Sequence, residues 1–172
     1  MKINSRLALL AILVLNSGLA LADNVTVNVT GRVTAIPCTL DLANSDLNVN
    51  LGDNLEASDL ANVGATSTPV PFKLVVNSCP TTTVNAIATF GGSEDTGAPG
   101  RYVSSGTARN IAVEVRDTSA TSALKGPGTS MTQTINLSDR TATFDLQASI
   151  YSKGAATGGT IASTMQVSFT YQ

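Results

Sequence analysis

Histidine and tryptophan are both absent from this chain, aromatic residues make up 4% of it, and charged residues only 13%. Catalysis near neutral pH most often turns on a group that exchanges protons there, and imidazole is the commonest. Without imidazole a Ser or Cys nucleophile lacks its customary base, and a copper or zinc sandwich enzyme lacks its ligands. The adjacent carboxylates Glu94 and Asp95 stand in a Gly-rich stretch with no apolar frame to shift a pKa, so a solvated loop tip is expected there. No Gly-Lys-Ser/Thr follows that stretch, which excludes a phosphate-binding loop. An enzyme is therefore not expected, and with it no cofactor, no metal site and no small-molecule substrate. Scarce rings also weaken any proposal of sugar stacking. Basic residues are few and never clustered, which argues against nucleic acid as a partner.

The first residues supply what the remainder lacks. Lys2 and Arg6 precede the unbroken apolar run from Leu7 to Leu15, and Ala20-Leu21-Ala22 offers the small residues that a signal peptidase accepts. That order reads as a secretory signal peptide, residues 1–22. The run is too short for a membrane span, which needs roughly 20 apolar residues. No Cys follows it, so a lipid-anchored product is not expected. Cleavage after Ala22 also removes Lys2 and Arg6, so that 8 of the 10 basic residues oppose all 12 acidic ones and the net charge moves from −2 to −4. The exported remainder is the size of one domain. Its two cysteines, Cys38 and Cys79, are most simply a disulfide in an oxidising compartment, with two buried free thiols as the alternative.

Beyond the leader the apolar period is two. Val25, Val27, Val29 and Val33 alternate with polar residues, as do Leu47, Val49 and Leu51, then Phe72, Leu74 and Val76. Ile111, Val113 and Val115 follow, then Phe144, Leu146, Ala148 and Ile150, and finally Val167, Phe169 and Tyr171. Stretches rich in Gly and Pro separate them, at 91–100, 125–128 and 154–159. Many short alternating runs punctuated in this way predict an all-β, antiparallel β-sandwich. The Asn-x-Ser/Thr triplets at Asn24, Asn28 and Asn136 read as polar strand faces, the first two arising from the alternation itself.

The two ends of the exported chain carry the most specific features. It starts almost at once on Val25-x-Val27-x-Val29-x-Gly31-x-Val33, with Pro37 and Cys38 close behind, and finishes on Met165-x-Val167-x-Phe169-x-Tyr171-Gln172. From periodicity alone both are ordinary strands of a self-contained domain. Gly159 fourteen residues from the end, a penultimate Tyr171, the alternation between them and the Cys38–Cys79 spacing together resemble the chaperone–usher pilins, close to type 1 fimbrial subunits. Asn62-Val63-Gly64-Ala65, followed by Val70-Pro71-Phe72-Lys73-Leu74, resembles the minor, adaptor-like subunits near the fibre tip.

The resemblance implies an incomplete immunoglobulin-like sandwich (residues 36–172) that lacks its last strand and is completed by donor-strand exchange. Residues 23–35 would be a donor strand offered to a neighbouring subunit, with Val25, Val27, Val29 and Val33 entering the neighbour's groove and Gly31 where no Cβ fits. Gly159, Met165, Val167, Phe169, Tyr171 and Gln172 would border this chain's own acceptor groove, the strand that a periplasmic pilus chaperone grips before an outer-membrane usher exchanges it. Implied too are export through the periplasm to a surface fimbria (pilus) and a part in cell adhesion. Tip adhesins of the family place a lectin domain first, which this chain does not. The rival reading is a self-sufficient, monomeric immunoglobulin-like binding domain of the periplasm or cell surface.

Overall fold

The computed structural model describes residues 28–31 and 37–172. The leader and most of the N-terminal alternating segment lie outside the described residues. The chain divides into two units, Met1–Thr34 and Ala35–Gln172, and the second holds every strand described below.

Nine strands follow one another among the described residues: β1 (Thr39–Leu40), β2 (Val63–Thr66), β3 (Val70–Asn77), β4 (Asn85–Gly92), β5 (Tyr102–Val103), β6 (Ile111–Asp117), β7 (Ser130–Thr134), β8 (Ala142–Lys153) and β9 (Met165–Tyr171). There is no helix among the described residues. One sheet has the order β1-β3-β8-β6-β5, with β2 also paired to β8; the other has the order β7-β4-β9. All pairings are antiparallel. The all-β antiparallel sandwich expected from the pattern is the fold.

Alternation decides which side chains enter the space between the sheets. Phe144, Leu146 and Ile150 of β8 are fully buried, and Phe72, Leu74 and Val76 of β3 and Val113 and Val115 of β6 lie beside them in the core. From the opposite sheet, Ala86, Ala88 and Phe90 of β4 are fully buried as well. Strand β4 escapes sequence reading because its core row is mostly alanine and it runs into Gly91-Gly92, and Ala and Gly are depleted in strands. Those two glycines, read as part of a turn, instead complete the ladder with Gln166 and Met165. Polar β7 was not anticipated either.

Three expectations need correction. No described strand pairs with the alternating run Leu47-Val49-Leu51; it belongs to no strand, with Val49 and Leu51 half-buried against the core and Leu47 exposed. Asp95 is no solvated tip: it is 4% exposed, bonded by Lys153 Nζ at 2.8 Å and by the Gly97 N–H at 2.8 Å. Glu94 does remain outside, accepting the Gly100 N–H at 2.6 Å. Asn136 lies outside the named strands, bridged to Thr141 at the base of the turn between β7 and β8, and its side-chain oxygen accepts the Ser138 N–H at 2.9 Å.

The outer face of the larger sheet is also less exposed than alternation suggests. Glu114 is 4% exposed and held by Arg101 and Arg116, each at 2.6 Å, while the Arg101 guanidinium lies 3.7 Å over the Tyr151 ring. At the end of β6, on the inward row where Asp117 stands opposite Leu146, Lys125 pairs with Asp117 at 3.1 Å. These pairs tie the 93–101 and 117–125 loops across the sheet, and each buried charge is matched, as burial requires.

Candidate functional site: an open cleft beside the last strand

Strand β9 hydrogen-bonds to β4 along its whole length, from Gly92↔Met165 to Ala86↔Tyr171, and to no other strand among the described residues. The consequence shows in its burial. On β4, the central strand, the inward row is sealed; on β9 the corresponding row, Met165, Val167, Phe169 and Tyr171, packs against the same core yet stays only half-buried. Phe169 meets Phe144 of the opposite sheet with ring centroids 5.5 Å apart and tilted by 53°, within the range favoured for aromatic pairs. Its remaining surface is turned toward a cleft of about 780 Å³.

The cleft runs between β9 and the segment 47–55. Val167, Phe169 and Met165 form one wall; Leu40, Val49 and Leu51 form the other; Phe72, Leu74, Val113 and Val115 lie at its floor. Asp46 and Asp53 stand among the lining residues, and no Lys or Arg does. Segment 41–46 does bond to β3, partly through side chains: Ser45 Oγ accepts the Val75 N–H at 2.8 Å and an Asp46 carboxylate oxygen accepts the Lys73 N–H at 3.0 Å. Beyond Asp46 that substitution for strand pairing stops, and Leu47 to Leu55 form a second edge without a strand partner among the described residues.

Gly159 lines one end of the cleft. Its φ is +156°, and a Cβ there would collide with the backbone of Thr107 and Ala108. Facing it, a Cβ on Gly106 would strike the Thr160 carbonyl. Two glycines thus let segments 104–108 and 157–162 touch backbone to backbone, and the Ala108 N–H donates to Thr160 O at 3.0 Å. Sequence reading found Gly159 through its place near the end, but not Gly106, whose contact, Thr160, lies far along the chain.

The disulfide lies beside the C-terminal end of β9, outside the cleft lining. Cys38 and Cys79 are bonded to each other and buried, at 6% and 4% exposure. The Tyr171 hydroxyl donates to the Cys38 carbonyl at 3.4 Å, and burial raises its pKa above the ordinary 10.0. The oxygen of Gln172 accepts two backbone N–H groups, from Val84 at 2.6 Å and Asn85 at 2.9 Å. Gln172 is exposed and is not among the cleft-lining residues.

The expected groove residues are therefore brought together: Gly159, Met165, Val167 and Phe169 line the cleft, while Tyr171 and Gln172 fasten the end of β9. The opposing wall, Leu40, Val49 and Leu51, was not assigned to the site; its sequence signal was the alternating run that finds no partner. Of the expected donor residues, Val25, Val27 and Val33 lie outside the described residues. Val29 and Gly31 are described, are exposed and belong to no strand.

Comparison with known proteins places the cleft in context. The fimbrial protein family matches residues 27–172. Protein FimG of Escherichia coli (strain K12) is 36% identical over 164 residues, covering 95% of this chain and 94% of that protein. The type-1 fimbrial protein A chain of the same strain is 33% identical, covering 89% of each. Among solved structures, the P pilus rod subunit PapA superposes with a TM-score of 0.65 at 16% identity, covering 80% of this chain and all of PapA, a likeness of fold. An all-β sandwich with an open core edge and a family match over residues 27–172 lead to one conclusion: the chain belongs to the fimbrial protein family, structural subunits exported and assembled with their neighbours into surface fimbriae, not enzymes.

Proposed function

We propose that the cleft is an acceptor groove filled by an extended segment of an adjoining fimbrial subunit, and that residues 23–35 of this chain fill the corresponding groove of another. The observation that carries this reading is the contrast between β4 and β9: neighbours in one sheet, equally apolar on their inner faces, one sealed and the other half-open beside a cleft. A strand laid between β9 and segment 47–55 would pair both free edges and cover the open row at once. Open apolar edges of this kind are aggregation sites unless covered.

The N-terminal segment has the composition such a cleft accepts. Val25, Val27, Val29 and Val33 would contribute on the order of 6–12 kcal/mol by burial before ordering is subtracted. Before assembly, the same open edge calls for temporary cover, which supports a periplasmic chaperone as first partner and an outer-membrane usher as the place of exchange. The resemblance of 62–65 and 70–74 to minor subunits, segments that form β2 and the first half of β3, supports an adaptor position in a fimbria that serves cell adhesion. A chain lacking Asp23 to Val33 is the direct test. It should still accumulate with chaperone and fail to join a fibre; normal incorporation of the truncated chain would refute the reading.

A further inference from the structure

The end of the sandwich where the N-terminal segment leaves it carries two exposed apolar side chains that the fold does not use. Val84, at the entrance to β4, is 57% exposed, and Leu137, in the turn after β7, is 77% exposed. Isolated exposed apolar residues are ordinary, but these two are neighbours by construction. The Ile135 N–H donates to Val84 O at 2.8 Å, which puts Leu137 two residues from a direct bond to Val84. Arg140 then clamps the two turns together. Its Nε donates to Cys79 O at 3.0 Å and its Nη2 to Thr83 O at 3.1 Å. Through Cys79 the pair is tied to Cys38, the residue at which the chain enters the sandwich.

We propose that Val84 and Leu137 form a second contact, outside the cleft, with the subunit whose cleft receives residues 23–35. The inference rests on the donor reading above and adds to it. Residues 36 and 37 alone separate the end of that segment from Cys38, and an extended chain spans at most about 3.6 Å per residue. The mouth of the neighbour's cleft must therefore lie within about 11 Å of Cys38, which brings the neighbour's surface against this end of the sandwich. The partner is a subunit of the same fold, whose cleft rim supplies the complementary chemistry. In this chain that rim exposes Leu47 and Leu55, 57% and 36% accessible. The contact would set the angle at which one subunit stands on the next.

Fimbriae assembled with Leu137→Lys, with Val84→Lys and with both test it. Release of the variant subunit from purified fimbriae in warm detergent is followed by immunoblotting. Either change should speed release about tenfold at a fixed temperature, the effect of losing one buried apolar side chain, and Leu137→Met should behave as wild type. Failure of a soluble, chaperone-bound variant to join the fibre at all would support the contact equally. Wild-type release from both single variants and the double variant would overturn it. Because Leu137 is the most exposed of these positions, Leu137→Lys serves if Val84→Lys disturbs folding. Incorporation of the chain lacking Asp23 to Val33 would instead defeat the donor reading itself, so the two failures are distinguishable.

Discussion

Thr107 and Thr160, 53 residues apart, each accept the other's backbone N–H on the side-chain hydroxyl. Thr107 N–H reaches Thr160 Oγ1 at 3.1 Å, and Thr160 N–H reaches Thr107 Oγ1 at 2.8 Å. This reciprocal pair, set between Gly106 and Gly159, holds segment 157–162 as the end wall of the cleft. Preorganising that wall means an incoming strand does not have to order it, and ordering flexible segments is among the main costs of binding.

Replacing Thr160 by Val removes one acceptor and leaves the Thr107 N–H to solvent, so about 0.5–1.5 kcal/mol should be lost. Gly106→Ala drives a methyl group into the Thr160 carbonyl and should lose about 1–3 kcal/mol. Urea denaturation of the purified chain measures both; a Gly106→Ala protein as stable as wild type would contradict the close backbone approach.

Val167 faces the cleft from the middle of β9, so Val167→Arg places a charge where an apolar strand is proposed to lie. The variant should still insert its own N-terminal segment into another subunit, because that segment is untouched, but should stop growth beyond itself. Short fibres ending in the variant are the expected result in electron micrographs. Full-length fibres containing it would show that the cleft is not the acceptor.

The Cys38–Cys79 bond closes a loop of 41 residues in separation and anchors both β1 and the turn before β4. Cys38→Ser should cost about 2–5 kcal/mol and reduce the amount of assembled subunit. Because Tyr171 bonds to the Cys38 carbonyl, loosening should reach the end of β9 and be visible as faster amide exchange there. Undiminished assembly would remove the structural role of the bond.

Acid should weaken the 117–125 loop at the end of β6. Burial alone would raise the Asp117 pKa, but hydrogen bonds from Ser119, Lys125 and the Ala123 N–H outweigh it and hold the carboxyl below its ordinary 3.8. A carboxyl depressed on folding adds stability at pH values above 3.8, and that contribution disappears as the pH falls through the lower folded value. Asp117→Asn should therefore be less stable than wild type near neutrality, and the difference should shrink below pH 4. A difference independent of pH would show that the carboxylate charge is not involved.

Most of the core is legible in the sequence, because burial on one face of a strand leaves a period-two mark that survives without any knowledge of partners. Phe144, Leu146, Ala148 and Ile150 announce β8, and Ile111, Val113 and Val115 announce β6. Strand β4 is silent because small side chains fill the middle of the smaller sheet. Asp95 and Glu114 mislead for another reason: their burial depends on Lys153, 58 residues from Asp95, and on Arg101, 13 residues from Glu114, with Arg116 two residues along the same strand adding to it.

By itself the sequence determined which faces are apolar, that the chain carries one pair of cysteines, and that its two ends share an alternating pattern. It could not distinguish Leu47-Val49-Leu51 from Phe144-Leu146-Ala148, since both alternate in the same way. Only the tertiary structure decided that the second is laddered on both sides while the first, like the outer edge of β9, has no strand beside it among the described residues. Inward-facing pattern is a local property of side chains; pairing is a property of whichever backbone is nearby, and here the cleft exists because two edges that face each other lie too far apart to bond.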